Sequence, residues 1–372
     1  MRTSSYLSST QGSKKDIAKQ HKALLSMYVP SSNKKVSPNQ ISKGGAETNK
    51  SSRISKSPVG PHNKIQPVNV LSPSKNKNLS NIITQSGSKL MKTNALDSFN
   101  SNLRIKSFTK DDFDIGLKLG KGKFGKVFCV RHKESGFICA LKVMQKTDIL
   151  QYKLERQFIR EVEIQSSLNH PNIAKLYGYF HDEKRVYLIM EYMLYGELYK
   201  TLEIHGPFEN AVATNYVYQI ASAILYLHQR HIIHRDIKPE NILIGPHNQL
   251  KLTDFGWSII NPKGLRRRTF CGTIDYLSPE IVDYKEYDHN VDIWALGIVA
   301  YELLVGSPPF EENTKDLTYE RIRRGDIVFP KQVTPEARDF IERILVLEPK
   351  KRMTLKEIMS HPWILKYKSQ WQ

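Results

Sequence analysis

Three short motifs in a fixed order constrain this chain more than any other feature. His234-Arg235-Asp236-Ile237-Lys238-Pro239-Glu240-Asn241 comes first, Asp254-Phe255-Gly256 follows, and Ser278-Pro279-Glu280 closes the stretch. Asp-Phe-Gly alone is an ordinary turn with an aromatic anchor. Together, with Asp236 and Asn241 five residues apart and Asp254 thirteen further on, the motifs offer a carboxylate that can accept a hydroxyl proton. They also offer an amide and a second carboxylate that can hold Mg²⁺ on a nucleotide. Such chemistry rests on positioning and charge neutralisation, so it needs few residues, rigidly held.

The stretch resembles the active centre of the eukaryotic protein kinases. That resemblance implies an α+β, bilobal fold: a small β-rich lobe with one prominent helix over 109–191 and a helical large lobe over 194–365. These make a catalytic domain of 109–365, with a disordered basic tail over 1–108 before it and a short C-terminal tail over 366–372. The 372 residues are enough for two lobes and an appendage. Charge divides the chain the same way. The net +19 is concentrated in residues 1–106, which carry +15, whereas the remaining 266 carry only +4. A tail of that kind suits a polyanion such as DNA, RNA or an acidic protein surface, including the face of a microtubule.

Cys129, Cys139 and Cys271 have neither metal-ligand spacing nor a disulfide framework, which points to a reducing compartment. The first two sit in apolar strand-like runs and are expected to be buried. Cys271 follows Arg266, Arg267 and Arg268 in a loop, which makes it a candidate reactive thiol. No apolar run approaches the ~20 residues that span a bilayer, and no signal peptide opens the chain.

Ser, Asn, Lys and Pro dominate the tail, which cannot bury enough apolar surface to offset the entropy of ordering. Residues 16–29 and 78–99 carry clustered Leu, Ile and Met that suit short helices on a partner. Of the Ser-Pro pairs, Ser72-Pro73-Ser74-Lys75 resembles a full cyclin-dependent phosphorylation site.

In the small lobe, Gly120-Lys121-Gly122-Lys123-Phe124-Gly125-Lys126-Val127 reads as a glycine turn between strands that would let the backbone approach phosphates. A dinucleotide site is disfavoured. A strand pattern rather than a helix follows, and Ala140-Leu141-Lys142 stands where a ribose-binding acid would be needed. Lys142 ends an alternating run from Phe137 to Val143. A single helix is expected over 148–168, with Glu161 on its inward stripe beside Phe158, Ile164, Gln165 and Leu168. A carboxylate on an apolar face needs a partner, and Lys142 is available. Strands follow over 173–180 and 186–191.

By resemblance, Asp236 is the catalytic base, with Lys238 beside it and Thr273 orienting the two. Lys142 holds phosphates and pairs with Glu161. ATP binds among Leu119, Gly120, Lys121, Gly122, Lys123, Phe124, Gly125, Val127, Lys142, Glu191, Met193, Glu240, Asn241 and Asp254. Asn241 and Asp254 carry the Mg²⁺, Met190 backs the adenine pocket, and Glu280 pairs with Arg352. Lys238 is the serine/threonine-kinase pattern. Arg235 before the catalytic Asp implies control by phosphorylation at Thr269, whose phosphate would pair with Arg235, Arg267 and Arg160. Glu197, Glu240 and Glu302 match positions that bind substrate arginines in basophilic kinases. Thr269 itself follows three arginines, so the chain is expected to phosphorylate its own loop. Arg53-Ile54-Ser55 and Arg104-Ile105-Lys106-Ser107 are further self-sites.

The resemblance narrows on Arg160-Glu161-Val162-Glu163-Ile164-Gln165, Asp254-Phe255-Gly256-Trp257-Ser258 and Arg268-Thr269-Phe270-Cys271-Gly272-Thr273-Ile274-Asp275-Tyr276-Leu277. Over 113–365 the chain is similar to the Aurora kinases. Its long basic tail resembles that of the single fungal Aurora, the increase-in-ploidy kinase of budding yeast. This implies an inner centromere protein segment wrapping the small lobe, the other chromosomal passenger subunits, kinetochore and histone H3 substrates, and action in the nucleus at kinetochore, centromere and mitotic spindle. Met190 departs from the leucine of animal Auroras. Gly178 matches the spindle-pole type, for which a spindle-assembly factor is an alternative partner. Another basophilic serine/threonine kinase, or an inactive kinase-fold scaffold acting through its tail, are the competing readings.

Overall fold

The computed structural model describes residues 108–122, 125–261 and 269–371. The expectations for the tail, including its helices, Ser-Pro sites and self-sites, and those for Lys123, Phe124, Arg267 and the rest of 262–268, fall outside those residues.

The small lobe is a five-stranded antiparallel sheet in the order β1-β2-β3-β5-β4. Its strands are β1 (Phe113–Gly122), β2 (Gly125–His132), β3 (Ile138–Gln145), β4 (Leu176–His181) and β5 (Arg185–Met190). Strand alternation divides β3 between two apolar clusters. Cys139 and Leu141 enter one with Phe113, Val130 and Tyr187, while Ala140 and Met144 enter the other with Phe158, Val162 and Met190. Lys142 shares the face of Ala140 and Met144. It lies within β3, which runs on to Gln145, rather than at a strand end.

The single helix expected over 148–168 is two, α1 (Lys146–Gln151) and α2 (Glu155–Ser166). They are separated where Lys153 takes a left-handed φ of 55°, which no helix interior accommodates. Leu168 falls past the end of α2, but the inward stripe is as expected: Phe158, Glu161, Ile164, Gln165 and Leu168 are all buried. The strand expected from Ile173 begins at Leu176, and Ile173 instead bridges Leu252. Phe108, assigned to the tail, packs its ring on Phe113 at 5.8 Å and on His132 at 5.5 Å.

The large lobe starts with β6 (Gly196–Glu197), α3 (Leu198–His205) and α4 (Asn210–His228). Four short strands follow: β7 (Ile232–Ile233), β8 (Ile242–Ile244), β9 (Leu250–Leu252) and β10 (Ile259–Ile260). They pair as β6-β8-β9 and β7-β10, and so brace both ends of the loop that bears Asp236. Then come α5 (Pro279–Val282), α6 (Asn290–Val305), α7 (Lys315–Arg324), α8 (Pro335–Ile344), α9 (Leu355–Met359) and α10 (Pro362–Tyr367). Helix α6 is buried from Val291 to Leu304 and stops at Gly306, whose φ of 95° suits glycine. The last helices are capped by their own sequence, with the hydroxyls of Thr314, Thr334 and Thr354 accepting N–H bonds in the first turns of α7, α8 and α9. Past residue 365 the chain stays on the large lobe. Trp371 packs its ring at a tilt against Tyr218 of α4, with centroids 5.0 Å apart, and donates its indole N–H to Thr214 at 3.1 Å. No described helix is long and apolar enough to cross a membrane.

Candidate active site

The loop between β7 and β8 is held from below by one carboxylate. Asp292, fully buried in the first turn of α6, accepts the backbone N–H of His234 at 2.9 Å, that of Arg235 at 2.8 Å and the ring N–H of His228 at 2.8 Å. Burial disfavours its charge, but these donors and the neighbouring histidines outweigh that and keep its carboxyl below the usual range. Three bonds onto two oxygens let Arg235 hold a left-handed φ of 68°. Phe255 presents its ring edge to His234 at 4.9 Å, joining the Asp-Phe-Gly turn to the same support. This role of Asp292 was not among the expectations from sequence. The signal was available, since an acid heading a wholly apolar helix must find buried donors.

The groups brought together above that support form a compact set. Asn241 donates its amide N–H to both the carbonyl and the Oδ2 of Asp236, at 2.8 Å each. Thr273 donates to Asp236 Oδ1 at 3.1 Å and accepts from Lys238 Nζ at 2.5 Å, while Nζ lies 3.5 Å from Asp236 Oδ2. Asp236 is therefore held on both oxygens, and the amide oxygen of Asn241 is turned away from it.

The other half of the site comes from the small lobe. Lys142 Nζ lies 2.6 Å from Glu161 Oε1, joining β3 to α2. Burial would strip the ammonium of its proton, but Glu161 and Asp254 outweigh it and hold Lys142 charged. Asp254, at a left-handed φ of 61°, accepts the Gly256 N–H at 3.2 Å. Burial opposes its ionisation, yet Lys142, that N–H, His234 and Lys238 keep its pKa below normal. Leu119 and Val127 pack on the cluster containing Met190. The two ends of the glycine turn differ. A Cβ on Gly125 would lie 2.5 Å from the Val143 carbonyl, so glycine is required there by strand packing, whereas one on Gly120 would meet nothing within 4 Å. Among the described residues the position beside Gly120 is thus open, which is compatible with a phosphate-binding turn. At the connection after β5, Glu191 donates its N–H to the Lys175 carbonyl at 2.9 Å and its carboxylate pairs with Lys251 at 2.8 Å. The Met193 carbonyl accepts the Gly196 N–H at 3.4 Å.

Among the described residues no three His, Cys, Asp or Glu side chains cluster as a metal site. A divalent ion here would take its ligands from Asn241, Asp254, water and a nucleotide's phosphates, which is how Mg²⁺ is ordinarily bound.

Around the activation segment the expectations divide. Thr269 is exposed, and so is Arg160 on α2; Arg235 donates to the Trp257 carbonyl at 2.7 Å and the Tyr287 hydroxyl at 2.9 Å. Cys271 is a correction. It is 3% exposed, and burial raises its thiol pKa against the opposing effect of Arg235, so it is not an activated thiolate. Cys129 and Cys139 are buried as expected.

The three acids are unlike one another. Glu197 is paired with Lys200 at 3.0 Å. Glu302 is buried in α6, accepts the Tyr276 hydroxyl at 2.6 Å, and is pushed up to about 7 by burial and by Glu240, Glu311 and Asp275. One buried carboxylate oxygen of Glu240 has no hydrogen-bond partner among the described residues. Glu240 and Glu302 thus share one negative region. Glu311, which sequence reasoning did not single out, extends it. Beneath them Arg352 makes two 2.7 Å bonds to Glu280.

The protein kinase domain family matches residues 113–364. The chain is 61% identical over 269 residues to a protein of Saccharomyces cerevisiae named Aurora kinase, covering 72% of this chain and 73% of that one. It is 60% identical to the Aurora kinase of Eremothecium gossypii over 72% of this chain and 73% of the relative. To that of Schizosaccharomyces pombe it is 53% identical over 70% and 73%.

Proposed function

From the premise that the chain belongs to the Aurora kinases and is a serine/threonine protein kinase, we propose that it phosphorylates arginine-directed sites on chromosomal proteins during mitosis. Protein kinases use ATP and a divalent metal. The observation that carries the proposal is the simultaneous closure of both halves of the site, Lys142 on Glu161 at 2.6 Å and Asp236 braced by Asn241 and Thr273.

In the proposed reaction the substrate hydroxyl lies against Asp236, which takes its proton as the oxygen attacks the γ-phosphorus of ATP. The bond from that phosphorus to the β–γ bridging oxygen breaks, and ADP leaves. Asn241 and Thr273 keep the carboxylate oriented, and Lys238 places positive charge beside the transferring group. Lys142 binds the α- and β-phosphates. The Glu191 carbonyl and Met193 N–H take adenine, and the open backbone at Gly120 admits the phosphates. Asn241 and Asp254 would hold Mg²⁺, which would supply neutralising charge when bound.

Glu240 and Glu302 suit a substrate guanidinium, because an unpartnered buried oxygen and a carboxyl held near neutrality are both stabilised by a cation. Glu197, already paired to Lys200, contributes in exchange for that partner. Phosphate on Thr269 would pair with Arg235, Arg160 and Arg267 and raise the rate. The partner is an inner centromere protein segment, with the other passenger subunits, acting at kinetochore, centromere and spindle on kinetochore proteins and histone H3. The basic tail adds contact with microtubule or DNA. The partner reading is supported by a groove of about 440 Å³ on the small-lobe sheet, lined by the apolar Ile115, Phe128, Val143 and Tyr187 and by four cations, Lys110, Lys121, Lys126 and Arg185, against one acid, Asp148. Its charge matches an acidic or neutral segment and opposes the chain's own +15 tail. Gly178 on β4 has open space where a Cβ would stand, so it is not a packing requirement and can serve partner choice.

The test is the initial rate of phosphate transfer to an Arg-Arg-x-Ser peptide by the chain alone and with the carboxy-terminal segment of an inner centromere protein, with Asp236→Asn as control. A low basal rate that rises more than about tenfold supports both kinase and partner, being the scale of a typical coupling energy. A high rate indifferent to the segment removes the partner, and transfer undiminished in Asp236→Asn removes the mechanism.

A further inference from the structure

A buried tyrosine outside every motif quoted above joins Arg235 to the phosphoacceptor. Tyr287 lies between α5 and α6 and is 3% exposed. Its hydroxyl accepts from Arg235 Nη1 at 2.9 Å and donates to the backbone carbonyl of Thr269 at 2.9 Å. Cys271 Sγ approaches the same oxygen at 3.8 Å. A phenol has one proton to give, so the hydroxyl acts fully in both directions. At the other end of the guanidinium, Nε donates to the Trp257 carbonyl at 2.7 Å. A continuous chain of hydrogen bonds thus runs from Trp257 through Arg235 and Tyr287 to Thr269. It links the residue just after Asp-Phe-Gly to the phosphoacceptor through protein groups alone.

We propose that Tyr287 is a positioning residue that holds the Thr269 backbone against Arg235 before phosphorylation and thereby sets the activity of the unphosphorylated kinase. It acts through Arg235 and touches no reacting atom. Two consequences follow from its placement. Arg235 is pre-oriented at φ 68° with its backbone N–H on Asp292, so a phosphate on Thr269 meets a guanidinium already fixed at the site. The phosphate also becomes a second tether on a segment that Tyr287 already holds, so the two tethers overlap in effect. The overlap rests on the reading that Thr269 is the regulatory phosphosite.

Tyr287→Phe keeps the buried ring and removes only the hydroxyl. The full chain, wild type and variant, would be prepared phosphatase-treated and Thr269-phosphorylated, with phosphate occupancy measured by mass spectrometry. Values of kcat and of KM for ATP and for peptide would be determined for all four. The expected result is a kcat about five- to tenfold lower in the unphosphorylated variant, the scale of one net hydrogen bond, with KM for ATP unchanged. The phosphorylated pair should agree within about twofold, since coupled contacts are non-additive. An equal loss in both forms would make the hydroxyl a general structural bond and overturn the proposal, as would no loss in either. If phosphorylation leaves the wild-type rate unchanged, the Thr269 reading fails by itself, and the unphosphorylated pair still decides whether Tyr287 positions the segment.

Discussion

Arg352–Glu280 in the large lobe and Lys142–Glu161 in the small lobe are both ion pairs largely out of bulk water, and the two are built differently. In the large lobe Arg352 makes two 2.7 Å bonds to Glu280, spends its remaining donors on the carbonyls of Val346 at 2.9 Å and Asn290 at 3.0 Å, and lies 5.0 Å from the Trp294 ring centre. In the small lobe Lys142 meets Glu161 through a single contact at 2.6 Å, and its side chain keeps 21% exposure. The first pair is planar, bidentate and sealed, so it ties α5 firmly to the chain before α9. The second is one bond between a strand and a helix, and α2 sits between the break at Lys153 and a loop. One bond can be broken and remade as a helix shifts, which suits a regulated element. A fork with every donor occupied cannot.

Replacing Lys142 with Met should break the comparison on the side of function. The expected loss is about 10²–10³ in kcat, as for removal of one preorganised charge from a transition state. The thermal midpoint should fall by less than in Arg352→Ala, because burial already raises the Glu161 carboxyl and a proton can replace the lost cation. A fall as large as in Arg352→Ala would mean that the small-lobe pair is structural after all. Arg352→Ala should show the opposite balance. It leaves Glu280 buried without its partner, a cost of about 3–5 kcal/mol, readable as a lower denaturant midpoint with unchanged slope. Activity per folded molecule should be largely kept, and full stability in this variant would refute the contrast.

The smallest effect sharpens the same point at Glu302, a buried acid with no ion-pair partner among the described residues. Its carboxyl, raised from 4.5 to about 7 mainly by burial, is neutral below that pH and charged above it. From the ionised fraction, kcat/KM for an arginine-bearing peptide should rise roughly tenfold from pH 6 to pH 8. The rise should be absent from Glu302→Gln or for a peptide lacking the arginines. For stability the sign is opposite. Between 4.5 and about 7 the native state holds more protons than the unfolded chain, so this group contributes less stability as pH rises through that window. A pH-independent preference for arginine peptides would remove Glu302 from recognition.

What was readable in advance follows contact range and residue type. The pairing of Lys142 with Glu161 was legible because a carboxylate on an apolar helical stripe needs a cation and only one stood nearby in pattern. The bridging of Asp236 and Lys238 by Thr273 was legible only through resemblance, since Thr273 lies 35 residues from Lys238. The break between α1 and α2 was not legible, because nothing in local propensity makes Lys153 adopt a positive φ. Burial of Ile149 and Leu154 on the small-lobe cluster decides it instead. Cys271 looked activated because arginines precede it in sequence. Its burial comes from packing against the loop that carries Tyr287, sixteen residues away, and proximity along the chain did not foretell it.

By itself the sequence determined the chemistry on offer, because a proton acceptor, two metal ligands and a phosphate-binding lysine are properties of residue types in a given order. It also determined the division into a basic tail and a nearly neutral catalytic region, because charge is additive along a chain. The tertiary structure decided how strongly each of those groups is held and in what protonation state. Asp292 gathers two backbone N–H groups and a histidine more than fifty residues away from it, Tyr287 joins Arg235 to Thr269, and the packing around Glu302 lifts its carboxyl toward neutrality. Solvation and hydrogen bonding depend on what surrounds a group in space, and only the folded chain supplies those surroundings.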